Sequence, residues 1–196
     1  TGALRHRERT GAFASTAGER HIVSGPVHIA PPEGVTVLPV QSTMDLYHTM
    51  LENAPLQDIV IQAAAPADYR VENPADQKIK KNDGEDLVLT LVENPDVAKA
   101  VGQQKQPGQV LVGFAAETQQ VTENAIKKLH KKNLDMIVAN DVTAEGAGFG
   151  VDTNIVTLIT EAGLNPQPKM TKRQVGDKIL DEALRIYQEK HAAMRD

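Results

Sequence analysis

Apolar and polar residues follow two clear rhythms after about residue 20, and neither rhythm before it. Short apolar runs at Val35–Val40, Asp58–Ile61, Leu87–Val92, Val110–Phe114, Leu134–Ala139 and Ile155–Ile159 predict strands. His21–Ser24, closed by Gly25-Pro26, reads as the end of another. Helical periods lie between them. Thr43 to Asn53 places Met44, Tyr47, Met50 and Leu51 on one face, behind Ser42 as N-cap. Asn94-Pro95-Asp96 opens a second helix, with Asn as cap, Pro at the first position and an acid in the first turn. Val121 to Lys132 forms a third. A fourth begins near Thr171 and buries Val175, Ile179, Ala183, Ile186 and Tyr187. Strands alternating with amphipathic helices predict an α/β fold: a parallel sheet covered on both faces. Ligands of such sheets bind beyond the carboxyl ends of the strands. The residues to inspect are therefore those at 64–68, 94–96, 114–118 and 140–141.

Two segments break the rhythm. Pro66 to about Asp86 is polar and long for a connection, which marks it as a functional loop or flap. Thr1 to Arg20 is aperiodic and carries Arg5, Arg7, Arg9 and Arg20. Composition narrows the picture. The 196 residues suffice for one well-buried domain, here expected over 21–196. Apolar residues make up 40% but aromatics only 3%, so the core must be aliphatic. The absence of Cys excludes disulfides, thiolate metal sites and a Cys nucleophile. A net charge of -5 argues against nucleic acid or an anionic membrane as the main partner. No apolar run approaches the roughly 20 residues of a membrane span, and no signal-peptide core follows the N-terminus. The expected setting is soluble and intracellular.

Several residues could carry chemistry. Asp68 follows a run of small residues, Ala63-Ala64-Ala65-Pro66-Ala67, which would admit a flat ligand or its phosphates. Asp68 could accept hydrogen bonds from a ribose or base, or hold a hydrated Mg²⁺; the alternative is a turn residue paired with Arg70. Lys78, Lys80 and Lys81 could close over phosphates from the long loop, or guard an edge strand. Lys127, Lys128, Lys131 and Lys132 crowd one helix end, where they either complement the dipole or meet a polyanion. The backbone of Asn94 to Val97 offers free N–H groups, with Asp96 favouring a nucleoside over a phosphate. Phe114 could stack on a base or belong to the core. Asn140-Asp141 ends a strand. The six His stand at 6, 21, 28, 48, 130 and 191, without metal-ligand spacing, which argues against zinc. No Ser-His-Asp order, HExxH, Walker A or GxGxxG occurs. The last absence argues against a dehydrogenase-like dinucleotide binder.

Taken in order, these pieces resemble one family. The run Ala64 to Arg70, Lys78-Ile79-Lys80-Lys81, Asn94-Pro95-Asp96 and Gly113-Phe114-Ala115-Ala116-Glu117-Thr118 carry the likeness, with Lys132-Asn133-Leu134-Asp135, Ala139-Asn140-Asp141 and Gly148-Phe149-Gly150. They are similar to the phosphopantothenoylcysteine synthetase (phosphopantothenate–cysteine ligase) domain, from about Ser24 onward. The resemblance implies a Rossmann-like, mostly parallel sheet with a long flap. It implies that CTP and Mg²⁺ activate the carboxylate of 4′-phosphopantothenate as an acyl-cytidylate, whose attack by cysteine yields the amide and CMP. By motif, Asp68 and the backbone of Gln62, Ala63 and Ala64 would contact the nucleotide. Lys78 would reach over the triphosphate from a flap that crosses a homodimer. Pro95, Asp96, Val97, Ala98 and Phe114 would frame the cytidine, Lys128 and Lys132 would bind phosphates, and Asn140 would lie near the pantothenate end. Lys78 and Asn140 would be the catalytic residues. The metal ligands are left open. In bacteria the domain is usually fused to a phosphopantothenoylcysteine decarboxylase in the cytoplasm. The chain departs from the family at its start: the glycine-rich stretch is missing, and Thr1 to Arg20 looks like a frame-shifted or disordered segment. The expectation is an N-terminally truncated domain, either an active ligase or an inactive nucleotide-binding fragment of one.

Overall fold

The computed structural model describes residues 19–81, 84, 86–117, 121–141 and 151–195. The Arg-rich opening, Thr118 and the glycine-rich loop at Gly146–Gly150 lie outside the described residues. The central feature is a five-stranded sheet built from β3 (Ile59–Gln62), β6 (Val110–Glu117), β7 (Met136–Asp141), β9 (Val156–Thr160) and β10 (Gly163–Pro166). In space the order runs β10-β9-β7-β6-β3. The strands β3, β6 and β7 are parallel, as expected. The strands β9 and β10 are antiparallel to their neighbours. The sheet is therefore mixed around a parallel core, the expected α/β arrangement with two antiparallel strands added at one edge. A parallel crossover needs a dozen or more residues, usually helical, whereas two residues suffice between antiparallel strands. Only Glu161 and Ala162 separate β9 from β10, and Gly163 takes φ +132, a value open to glycine.

Smaller pairs flank this sheet. The strands β1 (His21–Ser24) and β2 (Thr36–Pro39) pair in parallel. The strands β4 (Tyr69–Val71) and β5 (Leu91–Glu93) pair antiparallel, with Tyr69 opposite Glu93. The strands β8 (Thr153–Asn154) and β11 (Met170–Thr171) do the same. The strand expected over Leu87–Val92 is shorter than the sequence suggests and shifted by one residue. Its partner β4 has only three residues, so pairing ends with the Glu72 N–H donating to the Thr90 carbonyl at 2.9 Å, and Leu87, Val88 and Leu89 stay exposed.

Among the described residues, four α-helices complete the layers. The helix α1 (Thr43–Asn53) starts where Ser42 predicts, and Ser42 and Asp45 form a reciprocal capping box. The helix α2 (Val97–Gln103) corrects the expected cap. Asp96, in extended conformation, is the N-cap and accepts from the Lys99 N–H at 3.1 Å; Asn94 lies outside the helix. The helix α3 (Val121–Lys131) ends as a Schellman turn: Leu134 N–H donates to the Leu129 carbonyl, Asn133 N–H to the His130 carbonyl, and Asn133 adopts φ 51. The helix α4 (Lys172–Ala193) is capped by Thr171 and Gln174.

Period-two alternation on the strands sends side chains to two cores. Leu111, Ile137 and Ile159 face α1, α2 and α3 with Val97, Val101, Ala125 and Leu129. Val110, Val112, Met136, Val138 and Leu158 face α4, which contributes Val175, Ile179, Ala183 and Ile186. These side chains are aliphatic or Met, as the composition requires. At the amino ends of β6 and β7, Asp135 gathers the Lys105 ammonium at 3.1 Å, the Lys190 ammonium at 2.5 Å and the Leu111 N–H at 2.8 Å. No helix among the described residues is long and apolar enough to cross a membrane.

Candidate functional site

The carboxyl ends of β3, β6 and β7 open into one cleft of about 650 Å³. Its first wall is the small-residue run after β3. Gln62, Ala63, Ala64 and Asp68 line it, and the short side chains leave backbone within reach of a ligand. The second wall is the entry to α2: Pro95, Asp96, Val97 and Ala98. The floor holds Phe114 of β6 and Asn140 of β7, and the end of α3 contributes Lys128 and Lys132. Of the thirteen residues named from the sequence, twelve line this cleft. Lys78 does not. It is exposed in the segment between β4 and β5 and is not among the residues that line the cleft. Phe114 does not end its strand either: β6 runs on to Glu117, which leaves Phe114 half-buried against the cavity.

The walls are tied together by polar contacts. Asp96 pairs with the Lys132 ammonium at 3.1 Å while its other oxygen caps α2. Gly102 of α2 sits so near the end of α3 that a Cβ there would come within 1.9 Å of the Lys132 carbonyl oxygen. Asn133 donates from its side chain to the Gly102 carbonyl at 2.8 Å, closing the same joint. On the opposite side, Asn94 donates from Nδ2 to the Ala67 carbonyl at 2.9 Å and from its backbone to the Asp68 carbonyl at 2.7 Å. Arg70 is not the partner of Asp68. Its guanidinium donates to the Glu93 carbonyl at 2.8 Å and to Asn94 Oδ1 at 3.3 Å.

The polar residues Glu93, Asn154 and Lys172 also line the cleft without having been singled out from the sequence, and Val175, read as a core residue, reaches it from α4. Lys172 opens α4, and no acid stands in that first turn. A cation at the positive end of a helix dipole works against the helix, so this was the available signal. Two buried side-chain oxygens at the cleft, Gln62 Oε1 and Asn140 Oδ1, have no hydrogen-bond partner among the described residues. Buried polar atoms are rarely left so, and a bound molecule would complete them. With Lys128, Lys132 and Lys172 against Asp68, Glu93 and Asp96, the cleft combines cations, an aromatic face, exposed backbone and unmet acceptors. That set suits a phosphorylated ligand with a flat ring. Among the described residues no group of three or more His, Cys, Asp or Glu could hold a metal ion.

Known proteins resemble this chain in sequence and in fold. The "Coenzyme A biosynthesis bifunctional protein CoaBC" of Bacillus subtilis (strain 168) is 47% identical over 163 residues, which is 82% of this chain and 40% of that protein. The chain thus spans about two fifths of the length of that relative. The crystal structure of the C-terminal domain of a CoaBC protein superposes with a TM-score of 0.71 at 38% identity, covering 87% of this chain and 77% of that one. A Cab2 mutant in complex with phosphopantothenate-cysteine shares the fold, with a TM-score of 0.63 at 15% identity over 84% of this chain and 56% of that one. The model of the DNA/pantothenate metabolism flavoprotein C-terminal domain matches residues 10–187, starting inside the aperiodic opening segment. The chain belongs to that C-terminal domain family.

Proposed function

We propose that this domain is a ligase of coenzyme A biosynthesis that joins 4′-phosphopantothenate to cysteine at the expense of CTP. The observation that carries the reading is the convergence of twelve motif residues on one cleft at the carboxyl ends of three parallel strands. Names printed for relatives support it: a coenzyme A biosynthesis bifunctional protein, and a Cab2 complex with phosphopantothenate-cysteine.

The chemistry follows from the residues. Phe114 and the Pro95–Ala98 backbone receive the cytidine, and Asp68 with the Gln62–Ala64 backbone holds the ribose and phosphates. A carboxylate oxygen of 4′-phosphopantothenate attacks the α-phosphorus, and the bond to pyrophosphate breaks. Negative charge then builds on the equatorial and leaving oxygens, where Lys128 and Lys132 stabilise it electrostatically. The cysteine amine next attacks the acyl carbon of the cytidylate; the C–O bond to CMP breaks and the amine loses a proton. Asn140, at the floor, orients the acyl end. Neither step needs a protein nucleophile. Asp68 would be the carboxylate of this wall to hold a hydrated Mg²⁺, an ion that commonly takes one or two carboxylates rather than an all-protein cage. Mg²⁺ would neutralise phosphate charge.

Lys78 serves this reading only from a neighbouring subunit. The exposed Tyr69, Ile79, Leu87, Val88, Leu89 and Leu91 around β4 and β5 support a homodimer that covers this arm. Fusion to a decarboxylase domain and a cytoplasmic setting belong to the same proposal.

The test is pyrophosphate release from CTP and Mg²⁺, with and without 4′-phosphopantothenate, followed by CMP release when cysteine is added. Pyrophosphate that depends on the acid supports the ligase. CTP binding without turnover would reduce the reading to a nucleotide-binding module, and no CTP binding would refute both.

A further inference from the structure

The cleft has two walls on separate stretches of chain, and one buried side chain joins them. Asn94 is 9% exposed. Its Nδ2 donates to the Ala67 carbonyl, its backbone N–H donates to the Asp68 carbonyl, and its Oδ1 accepts from Arg70. Arg70 also holds the Glu93 carbonyl, so Asn94 and Arg70 together form a latch where β4 and β5 meet. Two residues further on, Asp96 caps α2 and pairs with Lys132. Asn94 thus links the Asp68 wall to the α2 wall with both ends of its amide in use. A capping role accounts for none of this, because Asp96 is the cap.

We propose that Asn94 is a positioning residue, which fixes the distance between the Ala63–Asp68 wall and the α2 entry and so sets affinity for the nucleotide. This rests on the nucleotide reading of the cleft. Asn94 acts through Asp68 and the Pro95–Ala98 backbone. Aspartate at this position keeps the shape and the acceptor toward Arg70. It removes the donor to Ala67 and turns a carboxylate oxygen toward a carbonyl.

Asn94→Asp and Asn94→Ala are compared with the intact chain by two readouts. Calorimetry measures CTP and 4′-phosphopantothenate affinity, and hydrogen–deuterium exchange follows the 63–70 and 91–96 segments. Expected are a CTP dissociation constant raised about tenfold in Asn94→Asp, the scale of one lost buried hydrogen bond, and faster exchange confined to those segments. Affinity for 4′-phosphopantothenate should stay within twofold, a split that general loosening would not produce. Unchanged exchange in both variants, or CTP affinity within twofold of the intact chain, overturns the proposal. Equal weakening of both ligands overturns it too. If the intact chain binds no CTP, the nucleotide reading fails, and with it the role in affinity. Faster exchange in the variants would still establish the latch as a structural feature. Should Asn94→Asp fail to fold, Asn94→Ala decides by the same criteria.

Discussion

Replacing Asp135 by Asn removes one charge and almost no volume, yet its consequences should be large. The carboxylate is 12% exposed and accepts from two ammonium groups, Lys105 at 10% and Lys190 at 29% exposure. It also accepts the Leu111 N–H, which an Asn oxygen could still do. Each hydrogen bond to a charged partner is worth about 1.5–3 kcal/mol when buried. Breaking a buried pair from one side costs about 3–5 kcal/mol, because the remaining charge is stranded. Water reaches Lys190, so the lower end applies, and we expect Asp135→Asn to cost about 3 kcal/mol. For a chain of this size that is a fall in Tm of about 6–12 °C. Urea unfolding followed by far-UV circular dichroism measures it. The reasoning also predicts a rescue. Burial lowers the pKa of Lys105, ahead of the opposing pull of Asp135, so the ammonium is costly once its partner is gone. The double variant Asp135→Asn, Lys105→Met should therefore be more stable than Asp135→Asn alone. A double variant as unstable as the single, or an Asp135→Asn chain within about 0.5 kcal/mol of the parent, would refute the account. Asp135 precedes the amino end of β7 whereas Asn140 stands near its carboxyl end. CTP affinity below the unfolding transition should not change.

Other outcomes follow from the same contacts. Lys105 also predicts a pH dependence: its folded pKa lies below 10.5, so the unfolded chain keeps the proton to higher pH. Stability from this group should rise as pH climbs through the folded value toward 10.5, and urea midpoints of Lys105→Met should lack that rise. Gly102→Ala places a methyl within 1.9 Å of the Lys132 carbonyl oxygen, backbone that cannot swing aside; a loss of about 3 kcal/mol is expected by urea unfolding, with weaker CTP binding as Lys132 moves. Phe114→Ala should weaken CTP binding by about 1–3 kcal/mol by calorimetry, the usual worth of a base stacked on an aromatic ring. Leu89→Glu on the exposed arm should shift the chain toward monomer in light scattering without changing its Tm by more than a few degrees.

The sequence was most legible where local chemistry and burial agree. Ser42 and Thr171 each start a helix where they predict one, because cap, capping-box partner and apolar period all point to the same residue. The parallel run β3-β6-β7 was legible as apolar strands buried on both faces. The strands β8 and β11 were not, because two residues carry no period. Nor was β10, whose four residues are all exposed. Asn94-Pro95-Asp96 misled because Asn and Asp are equally good caps; the choice between them was made by Ala67 and Asp68, far away in sequence, which occupy Asn94. Motif residues at four strand and helix ends pointed to one cleft before its walls were known. Lys172 and Asn154 joined it only through the antiparallel β8–β11 pair, a long-range contact that local pattern does not encode.

Asn133 is, among the described residues, the one non-glycine with positive φ. Its backbone ends α3, its side chain holds Gly102, and its carbonyl accepts from Lys105 at 2.6 Å. Three constraints therefore rest on a single codon. Glycine would satisfy the backbone better than Asn and keep the carbonyl, yet would release α2 from α3. Natural variation at this position would trade helix termination against the coupling of α2 to α3. Homologous domains carrying Gly here should hold their lysines as firmly at the root but with more play between the helices. One neutral-looking substitution would thus be a simple route by which descent could widen the cleft.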